Sequence, residues 1–234
     1  MSRSVRCDGV MHELKARADA GNVVGMARFG ISTKGTLGVS IAELRPLARL
    51  IGVDHQLALE LWETGIHEAR ILAAFIDDPA LVSEAQMEAW AADLDSWDVC
   101  DQVCSRLFDR TPHAWRKAVG WSARQEEFVK RSGFVLMAAL SVHDKIAADE
   151  RFLALLPIIE REAGDDRPYV KKAVNWALRQ IGKRDVALNA AAVAAAERIR
   201  EQGSRSARWI ASDALRELNS DKVRRRLEMA GGVG

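Results

Sequence analysis

A chain of 234 residues, nearly half of them apolar, is long enough to bury an extended core, and its composition shows none of the bias of a disordered chain. The first 25 residues carry Arg3, Arg6, Asp8, His12, Glu13 and Lys15, and no run of about 18 apolar residues occurs anywhere, which argues against a secretory leader and a membrane span. Cys7, Cys100 and Cys104 are too few and too odd in number for a disulfide framework, so reduced thiols are expected. The net charge of +1 conceals an asymmetry: residues 165–234 hold 15 Lys/Arg against 9 Asp/Glu, a net of +6, which leaves −5 on the rest. Such a split suggests a polyanion-binding face in the last third, although solvated helix faces also produce imbalances.

Along the chain, apolar residues recur at spacings of three and four between the breaks at Pro46, Pro79, Pro112, Pro157 and Pro168, which predicts helices, and no strand pattern stands out. Short turns are expected at Asp77-Asp78-Pro79, Arg110-Thr111-Pro112, Gly164-Asp165-Asp166-Arg167-Pro168 and Gln202-Gly203-Ser204. Without a linker among them, one domain over 1–234 is expected. Phe128-Val129-Lys130-Arg131, Tyr169-Val170-Lys171-Lys172 and Ser206-Ala207-Arg208 align at the starts of helices with offsets of 41 and 37 residues, close to one helix-pair repeat of the HEAT or armadillo kind. The fold class that follows is all-α, a curved α-solenoid of HEAT-like helix pairs.

In Ser96-Trp97-Asp98-Val99-Cys100-Asp101-Gln102-Val103-Cys104, Trp97 and Asp101 are four apart and share a helix face that Cys104 and Phe108 continue. A carboxylate on an otherwise apolar stripe is costly unless paired, so Asp101 is either a capping or salt-bridged group or a functional one. Arg131 begins a helix that is apolar almost all round, and its guanidinium should meet a carboxylate, with Asp101 one option, or a phosphate. Over residues 167–181 the stripe of Val170, Ala173, Val174, Ala177, Leu178 and Ile181 leaves Trp176 on the other side with Lys172, Arg179 and Lys183. An indole among cations suits a nucleic-acid surface; packing against a neighbouring repeat suits it as well. Cys100 and Cys104 lack further ligands at zinc spacing, the five histidines are scattered singly, and no phosphate loop or dinucleotide fingerprint occurs, so neither a metal nor a cofactor is expected.

These residues, with Lys172-Ala173-Val174-Asn175-Trp176-Ala177-Leu178-Arg179 and an N-terminal pattern of Met26-Ala27-Arg28-Phe29, Leu37-Gly38-Val39 and Arg45, give a chain that resembles the AlkD-type DNA alkylation repair glycosylases over nearly its whole length. The resemblance implies HEAT-like repeats, a bacterial cytoplasmic, nucleoid-associated setting, and double-stranded DNA with alkylated bases as partner, with no membrane and no obligate protein partner. It implies monofunctional release of cationic N3- or N7-alkylpurines without flipping the base, with Asp101 as the catalytic carboxylate, Trp97 and Trp176 as aromatics against the lesion's sugar and backbone, and Arg131 on a phosphate. Lys172, Arg179, Lys183, Arg45 and Ser40 are the remaining expected DNA contacts; where relatives carry a Gln-Thr-Pro run, this sequence has Ser40-Ile41-Ala42. Two other functions stay open on the residues: a non-catalytic HEAT protein that binds damaged or distorted DNA, in which Asp101 has no use, and a protein-interaction scaffold, in which Trp176 needs no cationic face.

Overall fold

The computed structural model describes residues 4–231, with side chains as far as Met229, and among these residues every regular element is helical. No helix among them is long and apolar enough to cross a membrane. They pack as two compact units, one ending at Pro112 and the other beginning at His113.

The first unit contains α1 (Val5–Ala16), α2 (Ala20–Ala27), α3 (Ile41–Ile51), α4 (His55–Trp62), α5 (His67–Ile76), α6 (Glu84–Ala92) and α7 (Trp97–Arg106), followed by a 3-10 turn over Phe108–Arg110. Helix starts are written in the local sequence: Asp19, Asp54 and Ser83 each accept a backbone N–H of the first turn, so orphan donors are satisfied where the chain enters the helix. Helices α3, α5 and α7 lie side by side with α5 in the middle, and α4 packs against α5. Between α4 and α6 the rings of Trp62 and Trp90 stack at 3.9 Å, and Trp62 Nε1 donates to Asp93 at 2.9 Å, so a large indole is buried without an unpaired donor. Pro46, expected to break a helix, lies inside α3. It is exposed, so the carbonyl that loses its intrahelical partner is on the solvent side, where water satisfies it.

The second unit contains α8 (Ala114–Ser122), α9 (Glu127–His143), α10 (Asp149–Leu153), α11 (Leu156–Glu162), α12 (Pro168–Ile181), α13 (Val186–Glu201), α14 (Arg205–Leu218) and α15 (Asp221–Gly231). Helices α9, α12 and α14 form a row with α12 in the middle, while α8 backs α9 and α13 backs α14. The three aligned segments therefore open successive helices of one layer, as the offsets of the repeat require. The four turns expected from Asp, Gly and Pro fall at junctions between helices, with Arg110 closing the 3-10 turn and Pro168 opening α12. Helix α9 has neighbours on both sides, and its residues from Val129 to Ser141 are all buried. Its approach to α8 is so close that a Cβ on Gly133 would stand 2.5 Å from Ser122 N and 3.0 Å from Ala118 O.

Those are backbone atoms, which cannot swing aside. Gly133→Ala should therefore lose about 1–3 kcal/mol in urea unfolding, despite the helix propensity it gains. Gly120, on the exposed side of α8 with nothing within 4 Å of an added Cβ, provides the contrast: Gly120→Ala should gain about 0.5–1 kcal/mol.

Candidate nucleic-acid interface

On α7 the core side is formed by Val99, Cys100, Val103 and Cys104, all buried, and the accessible side by Trp97, Asp98, Asp101, Gln102 and Ser105, all half-buried. Trp97 and Asp101 are thus brought together one turn apart, as expected. Cys104 and Phe108, expected to continue their face, belong to the core instead, so Asp101 borders the apolar stripe and does not sit within it. The helix is held there by its first turn. Trp97 Nε1 donates to the carbonyl of Phe29 at 3.0 Å, which fixes the indole, and Ser105 Oγ donates to the carbonyl of Asp101 at 2.6 Å.

Beside Trp97 lies an ion pair that the sequence did not announce. His67 Nε2 meets Asp98 Oδ2 at 2.8 Å, and Ser96 Oγ donates to Asp98 Oδ1 at 2.8 Å. Burial works against the charged form of His67, yet the hydrogen bond and charge of Asp98, with Glu68 and Asp95 nearby, outweigh it and hold the imidazole above its ordinary value. For Asp98, burial likewise opposes ionisation, and His67, the Ser96 hydroxyl and the Val99 N–H together bring the carboxyl below the usual range. Next to His67, the fully buried Glu68 accepts the backbone N–H groups of Leu37 and Gly38 at 2.8 and 2.7 Å, and Gly35 O accepts from His67 N at 2.8 Å. The loop between α2 and α3 is pinned to α5 by these bonds. A cleft of about 480 Å³ remains between that loop, α2 and α7, with Trp97 and Asp98 among its walls.

Ser40 caps α3 in a reciprocal arrangement with Glu43, whose Oε2 accepts from the Ser40 hydroxyl at 2.7 Å and from its N–H at 3.0 Å. Its hydroxyl proton is committed there. Arg45 is exposed on the same helix.

In the second unit, Trp176 is half-buried and Lys172 exposed on α12. Arg179 and Lys183, expected as free cations, are engaged within the protein: Lys183 Nζ lies 2.6 Å from Glu217, and Arg179 pairs with Glu217 and, at 3.4 Å, with Asp213. Asn175 Nδ2 donates to Asp213 at 2.7 Å in the same seam. The polar side of α12 faces α14, and the carboxylates of α14 consume its charges. Arg131 also departs from the expected phosphate contact. It is buried, and its Nη1 donates to the carbonyl of Tyr169 at 2.6 Å, at the first turn of α12. Lys130 beside it meets Glu162 at 2.5 Å and Asp165 at 3.1 Å. Burial of Asp165 opposes its charge, but Arg167 and Lys130 bring its carboxyl down to about 2.

The indole that does stand on a cationic solvent face is Trp209 of α14, 40% exposed, with Lys171 Nζ 5.4 Å from its ring centre and Arg205 and Arg208 exposed alongside. Sequence reasoning passed over it. The signal was present, since Trp209 aligns with Lys172 at the repeat offset of 37.

The sign of the His67–Asp98 coupling fixes a pH dependence for stability. A raised imidazole value gives stabilisation that is complete below the ordinary value of about 6.5 and fades as pH rises through the raised one; the lowered carboxyl gives stabilisation that is complete above about 4 and fades below it. Unfolding free energy should therefore fall from pH 6 to pH 8.5 more steeply in the native protein than in His67→Gln, as read by denaturant titration at each pH; equal slopes would remove the pair from the ledger.

No curated protein is detectably similar. A solved structure with 21% sequence identity superposes with a TM-score of 0.75 over 89% of this chain and 94% of its own; it represents a family described as related to the HEAT-like repeat DNA glycosylases, with affinity for branched DNA structures. The fold is accordingly that of the HEAT-like repeat glycosylases. The model of the family described as DNA alkylation repair enzyme matches residues 10–218, across both units, and the chain belongs to that family.

Proposed function

We propose that this protein binds DNA and hydrolyses the N-glycosidic bond of cationic N3- or N7-alkylpurines in duplex DNA, with Asp101 as the catalytic carboxylate. The observation that carries the reading is the placement of Trp97 and Asp101 together on the accessible side of α7, while the core side of that helix is closed. An alkylated purine already bears positive charge and leaves without a proton donor. The barrier lies in the cationic sugar, and an anion beside it stabilises that cation or orients the attacking water. The indole of Trp97, fixed by its bond to Phe29, adds cation–π attraction. In the second unit, Trp176 and the exposed cations Lys172, Arg205 and Arg208, with Trp209, suit phosphate and sugar contacts that set register without reading sequence.

Asp101→Asn should keep its affinity for duplex and lose base release on the order of 100-fold in single turnover on DNA carrying 7-methylguanine. Uracil and hypoxanthine, which need protonation as they depart, should not be released. Native excision by the variant, or efficient uracil release, would overturn the mechanism. Replacing Lys172 and Arg208 by Ala should each lower the slope of log affinity against log salt by about 0.9.

A second reading is favoured by the fold neighbour's described affinity for branched DNA and by the internal neutralisation of Arg179 and Lys183, which leaves fewer cations for a duplex backbone. It is a non-catalytic protein that binds branched or distorted DNA. Tighter binding to a four-way junction than to linear duplex, with no free base released, would favour it over the glycosylase.

A further inference from the structure

At the end of α12 opposite Lys172, the second unit holds a pocket of about 240 Å³ that the proposed hydrolysis does not use. Lys145 of the loop after α9, Arg184 of the turn after α12 and Arg226 of α15 line it. None of the three is in an ion pair with a carboxylate among the described residues. Arg184 Nη1 donates to the carbonyls of Ser141 and Asp144 at 3.1 and 2.8 Å, and its Nη2 to that of Ala147 at 3.1 Å. Neutral carbonyl oxygens fix the guanidinium in place and leave its positive charge uncancelled. The same bonds hold the loop that carries Lys145, and Trp115 Nε1 holds it as well by donating to Asp144 Oδ2 at 3.0 Å. Two carboxyl groups, Asp149 and Asp185, share the wall. Burial, with Asp185 beside it, keeps the Asp149 carboxyl above its usual range, and Asp185 is committed to capping α13, where it accepts the Leu188 N–H at 2.8 Å. Three cations outside any ion pair thus outnumber two carboxyl groups that are turned to each other and to a helix end.

Cations brought together from three elements around a small polar space suit one tetrahedral anion. We infer that the pocket takes a backbone phosphate from a second arm of a branched DNA, separate from the arm that meets Lys172, Arg208 and Trp209. The two places are far apart: α12 has 14 residues and is about 21 Å long, with Lys171 beside Trp209 at its start and the pocket at its end. Between them the positive charges are cancelled, since Arg179 pairs with Glu217 and Asp213, and Lys183 with Glu217. One backbone running from end to end would have to cross that neutralised seam and its carboxylates. Two arms that diverge at a branch reach the cations at both ends and leave the seam uncrossed. The inference rests on the DNA-binding reading above and holds whether or not a base is released.

Two measurements on the full chain test the pocket and the DNA reading separately. Both use the double variant Lys145→Gln with Arg226→Gln, which changes only exposed side chains and leaves Arg184 to hold the loop. The first compares thermal melting in sodium phosphate with melting in sodium chloride of equal ionic strength and involves no DNA. General exclusion of phosphate from protein surfaces acts alike on both proteins, so an occupied site shows as a larger gain in melting temperature for the native chain. The second compares affinities for a four-way junction and for a linear duplex with the same arm sequence. The native protein should prefer the junction by about tenfold, and the variant should lose that preference with duplex affinity unchanged. On the junction, the variant's slope of log affinity against log salt should fall by about 0.9, the share of one phosphate. Replacing Lys172 and Arg208 by Ala, by contrast, should weaken both DNAs. A phosphate gain confined to the native chain with no DNA bound supports the anion pocket and overturns the DNA reading. Equal gains in the two proteins, with duplex still bound, overturn the pocket and leave the DNA reading standing. Absence of a junction preference in the native protein, or an equal loss on junction and duplex in the variant, overturns the second arm.

Discussion

A helix with neighbours on both sides leaves the polar groups on its packed faces little water, so those groups look for partners inside the protein, and this requirement shapes both units. Glu68 on α5, the middle helix of its row, has no solvent exposure. It is satisfied by two backbone N–H groups of the loop between α2 and α3, and the loop is pinned in return. Lys130 and Arg131 on α9 are buried for the same reason, and they draw Glu162, Asp165 and the Tyr169 carbonyl toward them. Replacing one member of such a set strands the other as an unpaired buried group, the expensive outcome for a buried charge.

The same requirement decides which cations are left for a polyanion. On α12 the side away from the apolar stripe turns toward α14, and Asn175, Arg179 and Lys183 meet Asp213 and Glu217 there. Their charges cancel locally, so the excess of +6 in residues 165–234 does not translate into one continuous cationic stripe. Among the exposed cations are Lys172 on α12, Arg205 and Arg208 beside Trp209 on α14, and Lys222, Arg224, Arg225 and Arg226 on α15. An indole with an ammonium over its face and guanidinium groups beside it combines stacking with charge, which is the pairing that tolerates any base sequence.

Local features were legible in the sequence because they depend on neighbours in the chain. The period of three and four gave the helices, the Asp, Gly and Pro clusters gave the turns, and the recurrence at Phe128, Tyr169 and Ser206 gave the layer of α9, α12 and α14. The shared side of Trp97 and Asp101 follows from helical geometry alone. What the sequence hid are partnerships across distance: His67 with Asp98 is 31 residues apart, Arg179 with Glu217 is 38, and Arg131 finds a carbonyl 38 residues on. A helical wheel marks which residues are polar on the far face, but not whether that face meets water or another helix. Pro46 shows the reverse case, in which a residue read as a break is tolerated because its side of α3 is wet.

The cleft beside Trp97 owes its existence to several of these constraints acting together. Were the loop free to relax, the apolar walls would close on one another, since an empty apolar space forfeits dispersion contacts on every side. Glu68 prevents this from α5. Gly38, with φ of 82°, allows the loop to pass so near α2 that any Cβ there would collide with the carbonyl of Asp19. Trp97 is tied to the Phe29 carbonyl, so the indole cannot fold into the gap, and His67 and Asp98 hold one another at its base. The hydrogen bonds are polar and the Gly38 contact is steric, and together they oppose the collapse that the apolar walls favour. A space whose walls are held apart by hydrogen bonds on several sides differs from a packing defect, which carries no such support.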